Sequence, residues 1–346
     1  MFKYVLKRLF LAFFSIFLIL SLTFILMKML PFQKPIGTDG TIFSYYAQQV
    51  QLGYVVDMRR RTPELGELLW NYRDGLGKNH FFYQAPIMDQ YFAWLKGIFT
   101  EWNWGVSSSV QQNTGAVYII ADRLPASISI NIFSVIFSVP LGILLGIIAA
   151  LKKNKPTDHI ISTGIMVLIS IPSFVLIMVL MYVFCYNLGW FPTQWPTDPT
   201  APISEKILGY VIPVCALSFG SICSYARFTR AELCEVMSSD YLLLARTKGL
   251  TKRQAILRHA LRNAMVPIIP SILAEFIGIL GGSMILENLY GIPGIGGLFM
   301  EALNKQDFNV LFVDMAIFTS IGLIAGVVLD LSYGFIDPRI RMGAKK

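Results

Sequence analysis

Residues 238–267 read SSDYLLLARTKGLTKRQAILRHALRNAMVP and form the longest charged, helix-compatible interruption in the apolar second half of the chain. Three residues that favour the N-cap position, Ser238–Asp240, predict a short helix over Tyr241–Lys248. Gly249 predicts the left-handed end of that helix, because glycine adopts positive φ without steric strain. The stretch therefore begins as a capped helix that ends at a glycine.

A second helix is predicted to open at a capping box. Thr251 and Gln254 have the required spacing, and Pro267 should stop the helix near Val266 because proline disfavours helical geometry in the residue before it. At about 100° per residue, one side is apolar and the other basic. The apolar set is Ile256, Leu257, Ala260, Leu261, Ala264 and Met265, and the basic set is Lys252, Arg258, His259 and Arg262. This pattern predicts contact with another protein; the alternative is the ordinary basic bias of cytoplasmic membrane-protein loops.

The composition indicates a polytopic membrane protein. Of 346 residues, 55% are hydrophobic and 14% are charged, whereas soluble domains carry about 25% charged residues. The net charge of +8 is attributed to membrane topology and predicts no nucleic-acid partner. The four cysteines and three histidines have no metal-ligand spacing, so we expect no bound metal or cofactor and no catalytic residue.

Six apolar segments are predicted to span a bilayer. They are Leu9–Met27, Ser127–Leu151, Ile160–Leu188, Ile207–Tyr225, Pro267–Leu286 and Val310–Ile336. The predicted parts are residues 1–30 with the first span, a polar and aromatic extracytoplasmic domain over 31–124, and a membrane core over 125–346 that contains the basic loop 228–265. Without disulfides, the outer domain is expected to form a small aromatic core that depends on the spans for stability.

The distribution of basic residues predicts that both termini are cytoplasmic. This orientation places 18 of the 29 Lys and Arg residues inside, as the positive-inside rule requires. No small-x-small cleavage site follows the first apolar run, so the run is expected to remain as a span.

The basic loop resembles the cytoplasmic coupling loop of ABC importer permeases of the peptide and nickel subfamily. The matching residues are Ala245, Arg246, Lys248, Gly249 and Leu250, then His259, Leu261, Arg262, Asn263, Ala264 and Pro267. Leu243 and Leu244 stand where the more general family pattern has Glu and Ala, which fits the peptide subfamily. Further matches are Arg123 and Pro125, then Glu287, Pro293 and Gly294, and near the end Asp330, Asp337, Pro338 and Arg339.

This resemblance implies the type I ABC importer fold, an all-α polytopic protein with six transmembrane helices, here with an enlarged extracytoplasmic domain between the first two. It implies a permease in the bacterial cytoplasmic membrane that forms half of the pathway for oligopeptides or dipeptides. The implied partners are a second homologous permease, two ATP-binding subunits that use ATP and Mg, an extracytoplasmic substrate-binding protein, and membrane lipid. The segment from Ala245 to Leu250, with Arg258, His259, Leu261, Arg262 and Asn263, is the implied ATPase-coupling site.

The sequence contains no phosphate-binding loop of its own. Its Gly-Lys pair, Gly77-Lys78, lacks the first glycine and ends in Asn79, so a separate subunit must supply the energy.

Charges within spans are functional candidates: Glu275 and Asp314 are hypothesised to line the pathway and favour cationic groups, with a vestibule or helix interface as the alternative. Asp330 is expected to be structural, and Lys28 and Glu287 to snorkel.

Glycines four residues apart predict close helix packing in spans two, five and six. The pairs are Gly142 and Gly146, Gly278 and Gly282, and Gly322 and Gly326.

Other functions remain as alternatives. The same architecture could carry nickel or another small solute. An ion-coupled secondary transporter is disfavoured because we see neither an inverted repeat nor an ion-relay set of acids. A membrane-anchored enzyme is disfavoured because Pro31–Asp122 has one histidine, no cysteine and no Gly-x-Ser-x-Gly.

Overall fold

The structure, a computed structural model, describes residues 2–30, 35, 37–278 and 282–336. The chain forms two compact units. The helical unit comprises Met1–Leu9, Pro125–Gly297 and Ile321–Lys346, and the aromatic unit comprises Phe10–Leu124 and Leu298–Ser320.

Most of the described chain is helical. The α-helices are α1 (Phe2–Lys28), α2 (Asp39–Gln51), α3 (Ile87–Glu101), α4 (Ala116–Leu151), α5 (Pro156–Ile169), α6 (Ser173–Leu180), α7 (Ile203–Met237), α8 (Asp240–Thr247), α9 (Lys252–Ala255), α10 (Leu261–Gly278), α11 (Met284–Tyr290), α12 (Ile295–Asn304) and α13 (Phe308–Ile336). π-Helical turns follow α6 at Met181–Asn187 and α9 at Ile256–Ala260. The strands are β1 (Val55–Met58), β2 (Leu68–Arg73) and β3 (Asn79–Gln84).

Several helices of the described chain are long and apolar enough to cross a membrane. They are Val5–Lys28, Ala116–Leu151, Ile203–Met237, Arg258–Gly278 and Phe308–Ser332. A sixth crossing requires the pair Pro156–Ile169 and Ser173–Asn187, which bends by 99°. The predicted third span, Ile160–Leu188, therefore corresponds to two helices with a sharp bend between them and not to one straight helix. Pro172 is the cause, because proline lacks an N–H and disfavours helical geometry in the preceding residue.

The helix boundaries also differ from the predicted spans. Helix α4 begins at Ala116 and runs through Pro125, and α7 continues to Met237. The apolar run marks only the length that a bilayer needs, whereas backbone hydrogen bonding continues into polar residues. The fifth predicted span is wrong at its outer end, because Gly282 and Ser283 are not helical and Met284–Tyr290 is a separate helix.

The aromatic unit contains a three-stranded antiparallel sheet, so the prediction of an all-α chain is wrong for residues 31–124. The strand order is β1-β3-β2, with Val56 opposite Tyr83 and Trp70 opposite Phe82. A run of aromatic residues favours a strand because these side chains pack on a pleated surface. Asp74 closes the β2–β3 turn, and the backbone N–H of Lys78 at 2.8 Å lowers the pKa of its carboxyl.

Stacked rings form the core of the aromatic unit. Tyr46 stacks on Phe82 at 4.9 Å between ring centroids. Trp94 of α3 stacks on Phe24 of α1 at 4.8 Å and meets Phe312 of α13 edge-on at 5.4 Å. The aromatic core of this unit therefore includes side chains from α1 and α13, and the dependence of residues 31–124 on the spans for stability stays a prediction.

A buried carboxylate that the sequence reading missed anchors the loop before α4. Asp307 is fully buried, and its Oδ2 accepts hydrogen bonds from the Ser107 hydroxyl at 2.5 Å and from the backbone N–H groups of residues 108–110 at 2.9–3.0 Å. Charge-assisted bonds of this kind are about twice as strong as neutral ones. They hold the loop before α4 against Asp307.

Close helix packing is confirmed for one of the three glycine pairs. A Cβ added at Gly146 would lie 2.6 Å from the carbonyl oxygen of Ala226, and one added at Gly142 would lie 2.7 Å from the Cβ of Tyr225. A Cβ added at Gly278, Gly322 or Gly326 would have no described atom within 4 Å. The close contact therefore joins α4 to α7.

We predict that Gly146→Ala destabilises the chain by about 1–3 kcal/mol, because the added methyl group meets backbone rather than a movable side chain. The measurement is the midpoint of thermal unfolding of the purified chain in detergent. Gly164→Ala is the matched control, since its Cβ would meet no described atom and alanine favours a helix. Equal midpoints for the two variants would contradict the close contact.

Candidate functional site

The two helices predicted on either side of Gly249 are present. We call α8 and the helix that begins at Lys252 the helical pair. Helix α8 ends at Thr247, and Gly249 has a φ of +94°. The Thr251 N–H donates to Gln254 Oε1 at 3.1 Å, and the Gln254 N–H donates to Thr251 Oγ1 at 3.3 Å. These reciprocal bonds confirm the capping box. Its position fixes where the chain turns from α8 into the next helix.

The start of α8 differs in detail from the prediction. Ser239 occupies the N-cap position with extended backbone, φ −80° and ψ 148°, but its hydroxyl does not cap the helix. It donates instead to the Val236 carbonyl at 2.5 Å. The hydroxyl therefore satisfies the end of α7, where carbonyl groups lack partners within the helix.

The helical pair buries its small and apolar residues against α4 and α7. Among the described side chains, this cluster is Ala150, Leu233, Leu242, Ala255, Ile256, Ala260 and Ala264. The predicted polar coupling residues Arg246, Lys248, Arg258, His259, Arg262 and Asn263 are exposed, and Ala245, Leu250 and Leu261 are half-buried. The predicted two-sided pattern is confirmed for these residues; the side chains of Lys252, Arg253 and Leu257 lie outside the described part of the chain.

Helix α8 exposes large apolar side chains beside its basic residues. Leu243 is 63% exposed, Leu244 is 56% exposed and Tyr241 is 40% exposed. Arg246 and Lys248 follow them on the same short segment and are exposed as well. Exposed apolar groups next to charges are typical of protein contact surfaces.

The predicted stop at Pro267 is wrong. Helical structure continues from Lys252 through the π-helical turn and α10 to Gly278, with Pro267 and Pro270 inside α10. Membrane helices tolerate proline because neighbouring groups and local adjustments satisfy the freed carbonyls. The helical pair is therefore continuous with a membrane-crossing candidate.

An ion pair between a half-buried arginine of α7 and a buried aspartate of α5 joins these two helices. Asp158 is 1% exposed and accepts from Arg230 Nε at 2.6 Å and Nη2 at 2.8 Å. It also accepts from the Asn154 N–H at 3.0 Å and from the Ser162 hydroxyl at 3.2 Å. Two-point contact with a guanidinium fixes direction as well as distance. Sequence reasoning missed this pair; an acid in the first turn of a helix was the available signal.

Glu275 lies on a concave polar face of α7 and α10. The Ser221 hydroxyl donates to Glu275 Oε1 at 2.5 Å. The groove has a volume of about 930 Å³ and is lined by serines, Gly220, Arg227 and apolar residues. Polar side chains on membrane helices usually face a bundle interior or a water-filled cavity.

The second acid proposed for the pathway has a different setting. Asp314 belongs to the aromatic unit, where its side chain is fully buried. It is absent from the lining of the groove around Glu275. The two acids therefore belong to different units of the chain, and each is described within its own unit.

Glu287 is buried, so the expectation that it snorkels is wrong. It is 2% exposed, and Oε1 accepts from the Ser127 hydroxyl at 2.8 Å and the Ser283 N–H at 3.1 Å, while Oε2 accepts from the Gly297 N–H at 2.9 Å. A Cβ at Gly294 would collide with Glu287 and Ser127. Position 294, after Pro293, therefore requires glycine, because the Glu287 carboxylate occupies the space that a Cβ would need.

The remaining motif residues have separate partners. Arg8 Nη1 lies 2.8 Å from Asp330 Oδ2, and Arg123 Nη2 lies 3.6 Å from Glu301 Oε2. Pro125 lies inside α4. Asp337, Pro338 and Arg339 lie outside the described residues. The Asp330 pair joins α1 to α13, which agrees with a structural role.

Known proteins resemble this chain over almost its whole length. The dipeptide transport system permease protein DppB of Lactococcus lactis subsp. cremoris (strain MG1363) is 33% identical, with 99% of this chain and 100% of the relative covered. DppB of Bacillus subtilis (strain 168) is 30% identical, with 99% of each covered.

A solved structure and a family model agree with these relatives. The inward-facing methionine ABC transporter MetNI matches 64% of this chain and 97% of its own chain, with a TM-score of 0.51 and 14% identity, which indicates a shared fold. The model of the binding-protein-dependent transport system inner membrane component matches residues 142–342. The chain therefore belongs to the family of binding-protein-dependent transport system inner membrane components.

Proposed function

We propose that this chain is the permease subunit of an ATP-driven importer of dipeptides or oligopeptides. The observation that carries the proposal is the match to dipeptide permeases across 99% of the chain, which includes the capped helical pair. The chain forms half of the translocation pathway beside a second homologous permease. Two ATP-binding subunits use ATP and Mg, and an extracytoplasmic binding protein delivers the cargo.

The proposed topology has six crossings, with the bent pair Pro156–Ile169 and Ser173–Asn187 as the third. Both termini and the loop 228–265 are cytoplasmic, and residues 31–124 form an enlarged extracytoplasmic domain. The membrane core comprises residues 125–346. Support comes from the 18 cytoplasmic Lys and Arg residues in this arrangement. The Arg8–Asp330 pair is compatible with it, because both residues then lie near the cytoplasmic side.

The helical pair is the proposed ATPase-coupling element. Leu243 and Leu244 enter an apolar groove of an ATP-binding subunit, and the exposed basic residues surround that contact. Closure of the two ATPases moves α8, and the Arg230–Asp158 pair carries the movement to α5. Rigid-body motion of packed helices can switch access between the two sides of the membrane.

Loss of the exposed leucines should release the ATPases. We predict that Leu243→Ser with Leu244→Ser removes the ATP-binding subunits from the purified complex, because the apolar contact is lost while the folded permease loses no buried side chain. The measurement is ATPase stoichiometry after purification at matched expression. Ile203→Ser, 76% exposed at the start of α7, is the control. Retention of both ATPases by the double variant would exclude this docking surface.

The positive φ of Gly249 generates a second prediction. Gly249→Val should reduce ATP-dependent uptake by roughly tenfold or more, because a β-branched residue at φ +94° carries a strain of about 1–3 kcal/mol. A Cβ there would meet no described atom within 4 Å, so the effect arises from the backbone. Gly249→Asn is the control, since asparagine tolerates left-handed backbone. Normal uptake by the valine variant at normal membrane levels would contradict the coupling role.

Glu275 is proposed to favour cationic cargo along the groove. A hydrogen bond to a charged group contributes about 1.5–3 kcal/mol, so Glu275→Gln should lower the preference for a free peptide amino terminus over an N-acetylated one by about tenfold or more. Initial uptake rates of the paired peptides measure this ratio. Ser221→Ala, which removes one hydroxyl partner and keeps the carboxylate, serves as the control. An unchanged ratio for Glu275→Gln would remove Glu275 from the pathway.

A further inference from the structure

A small cavity in the aromatic unit lies beside the end of α1. Its volume is about 50 Å³. Since a water-sized group needs about 10–15 Å³ on this measure, the space fits roughly four such groups. The walls include Phe24, Tyr54, Trp94, Trp104 and Phe312. A cavity of this size accepts a small polar group rather than a whole peptide.

One cation and no acid line this cavity. The ammonium of Lys28 lies 3.9 Å from the ring centroid of Tyr54 and 5.5 Å from that of Phe24. Aromatic faces attract an ammonium but do not cancel its charge. No Asp or Glu of the described chain forms an ion pair with Lys28. Lys28 therefore brings a positive charge to the wall of the cavity without an ion-pair partner among the described residues.

Three N–H donors in the residues that line the cavity lack an acceptor among the described residues. They are Nε2 of Gln49, which is 1% exposed, and Nε1 of Trp94, which is 5% exposed, together with Nε1 of Trp104. An indole N–H can only donate, so only an acceptor can satisfy it. Buried polar groups without partners require an explanation, and a bound ligand is one.

We propose that this cavity binds a single carboxylate group. A carboxylate supplies two acceptor oxygens, carries the charge that Lys28 attracts, and fits the available space. A neutral amide of the same shape supplies one acceptor and no charge. The carboxylate belongs either to a small free acid or to the carboxyl terminus of a peptide.

The test uses the purified full-length chain in detergent, titrated with acetate and with acetamide at constant ionic strength. Calorimetry should give an acetate affinity at least tenfold higher than that of acetamide. Lys28→Met should weaken acetate binding at least tenfold, while Lys78→Met, at an exposed lysine outside the cavity, should leave it unchanged. Trp104→Phe keeps the aromatic wall, removes one donor and should weaken binding severalfold.

Glycylglycine and its carboxyl-terminal amide distinguish the two sources. Binding of the free dipeptide but not of its amide identifies a peptide terminus, and binding of acetate alone identifies a small free acid. Equal binding of acetate and acetamide, or no binding of either, would mean that the cavity holds water only and would overturn the proposal. If thermal unfolding shows that Lys28→Met is misfolded, unchanged acetate binding by folded Trp104→Phe would overturn it.

Discussion

A carboxylate can be buried among apolar helices only if hydrogen-bond donors surround it, and this constraint fixes the junctions of the fold. Asp158, Glu287 and Asp307 are at most 2% exposed, and each accepts several hydrogen bonds. Asp158 joins α5 to α7. Glu287 holds Ser127 of α4 close to the turns around α11 and α12, and Asp307 gathers three consecutive backbone N–H groups of the loop before α4. Each acid therefore joins segments that are distant in sequence.

Helix α7 connects the two candidate sites of the helical unit. It carries Ser221 at the polar groove, Arg230 at the ion pair with α5 and Leu233 in the cluster that packs against the helical pair. Because α4 meets α7 at Gly142 and Gly146 with almost no space to spare, neither helix can slide independently. A force applied near α8 would consequently act on α4 and α7 together, as the proposed coupling role requires.

The basic loop 228–265 departs from the general ABC permease pattern at two positions of α8, and both side chains are exposed. Leu243 and Leu244 replace a polar and a small residue, and both project substantially into solvent. Leu242, their neighbour, is buried in the cluster below. Successive residues of a helix point in directions about 100° apart. Because Leu242 points into the buried cluster, Leu243 and Leu244 point away from it. Their exposure therefore follows from helical geometry and supplies the apolar part of the proposed contact surface.

The sequence alone determined the membrane character, the capped helical pair and the family, because these depend on local signals: apolar runs, the Thr251–Gln254 spacing, and Gly249 between two helices. It could not reveal the sheet, since the pairing of β3 with β1 and β2 requires partners from separate segments. It also misplaced Glu287 and overlooked Asp158 and Asp307. A charge in an apolar sequence can be exposed, snorkelling or buried, and only the donors brought to it by other helices decide which. Tertiary structure alone assembled those donors, the polar groove around Glu275 and the cavity beside Lys28.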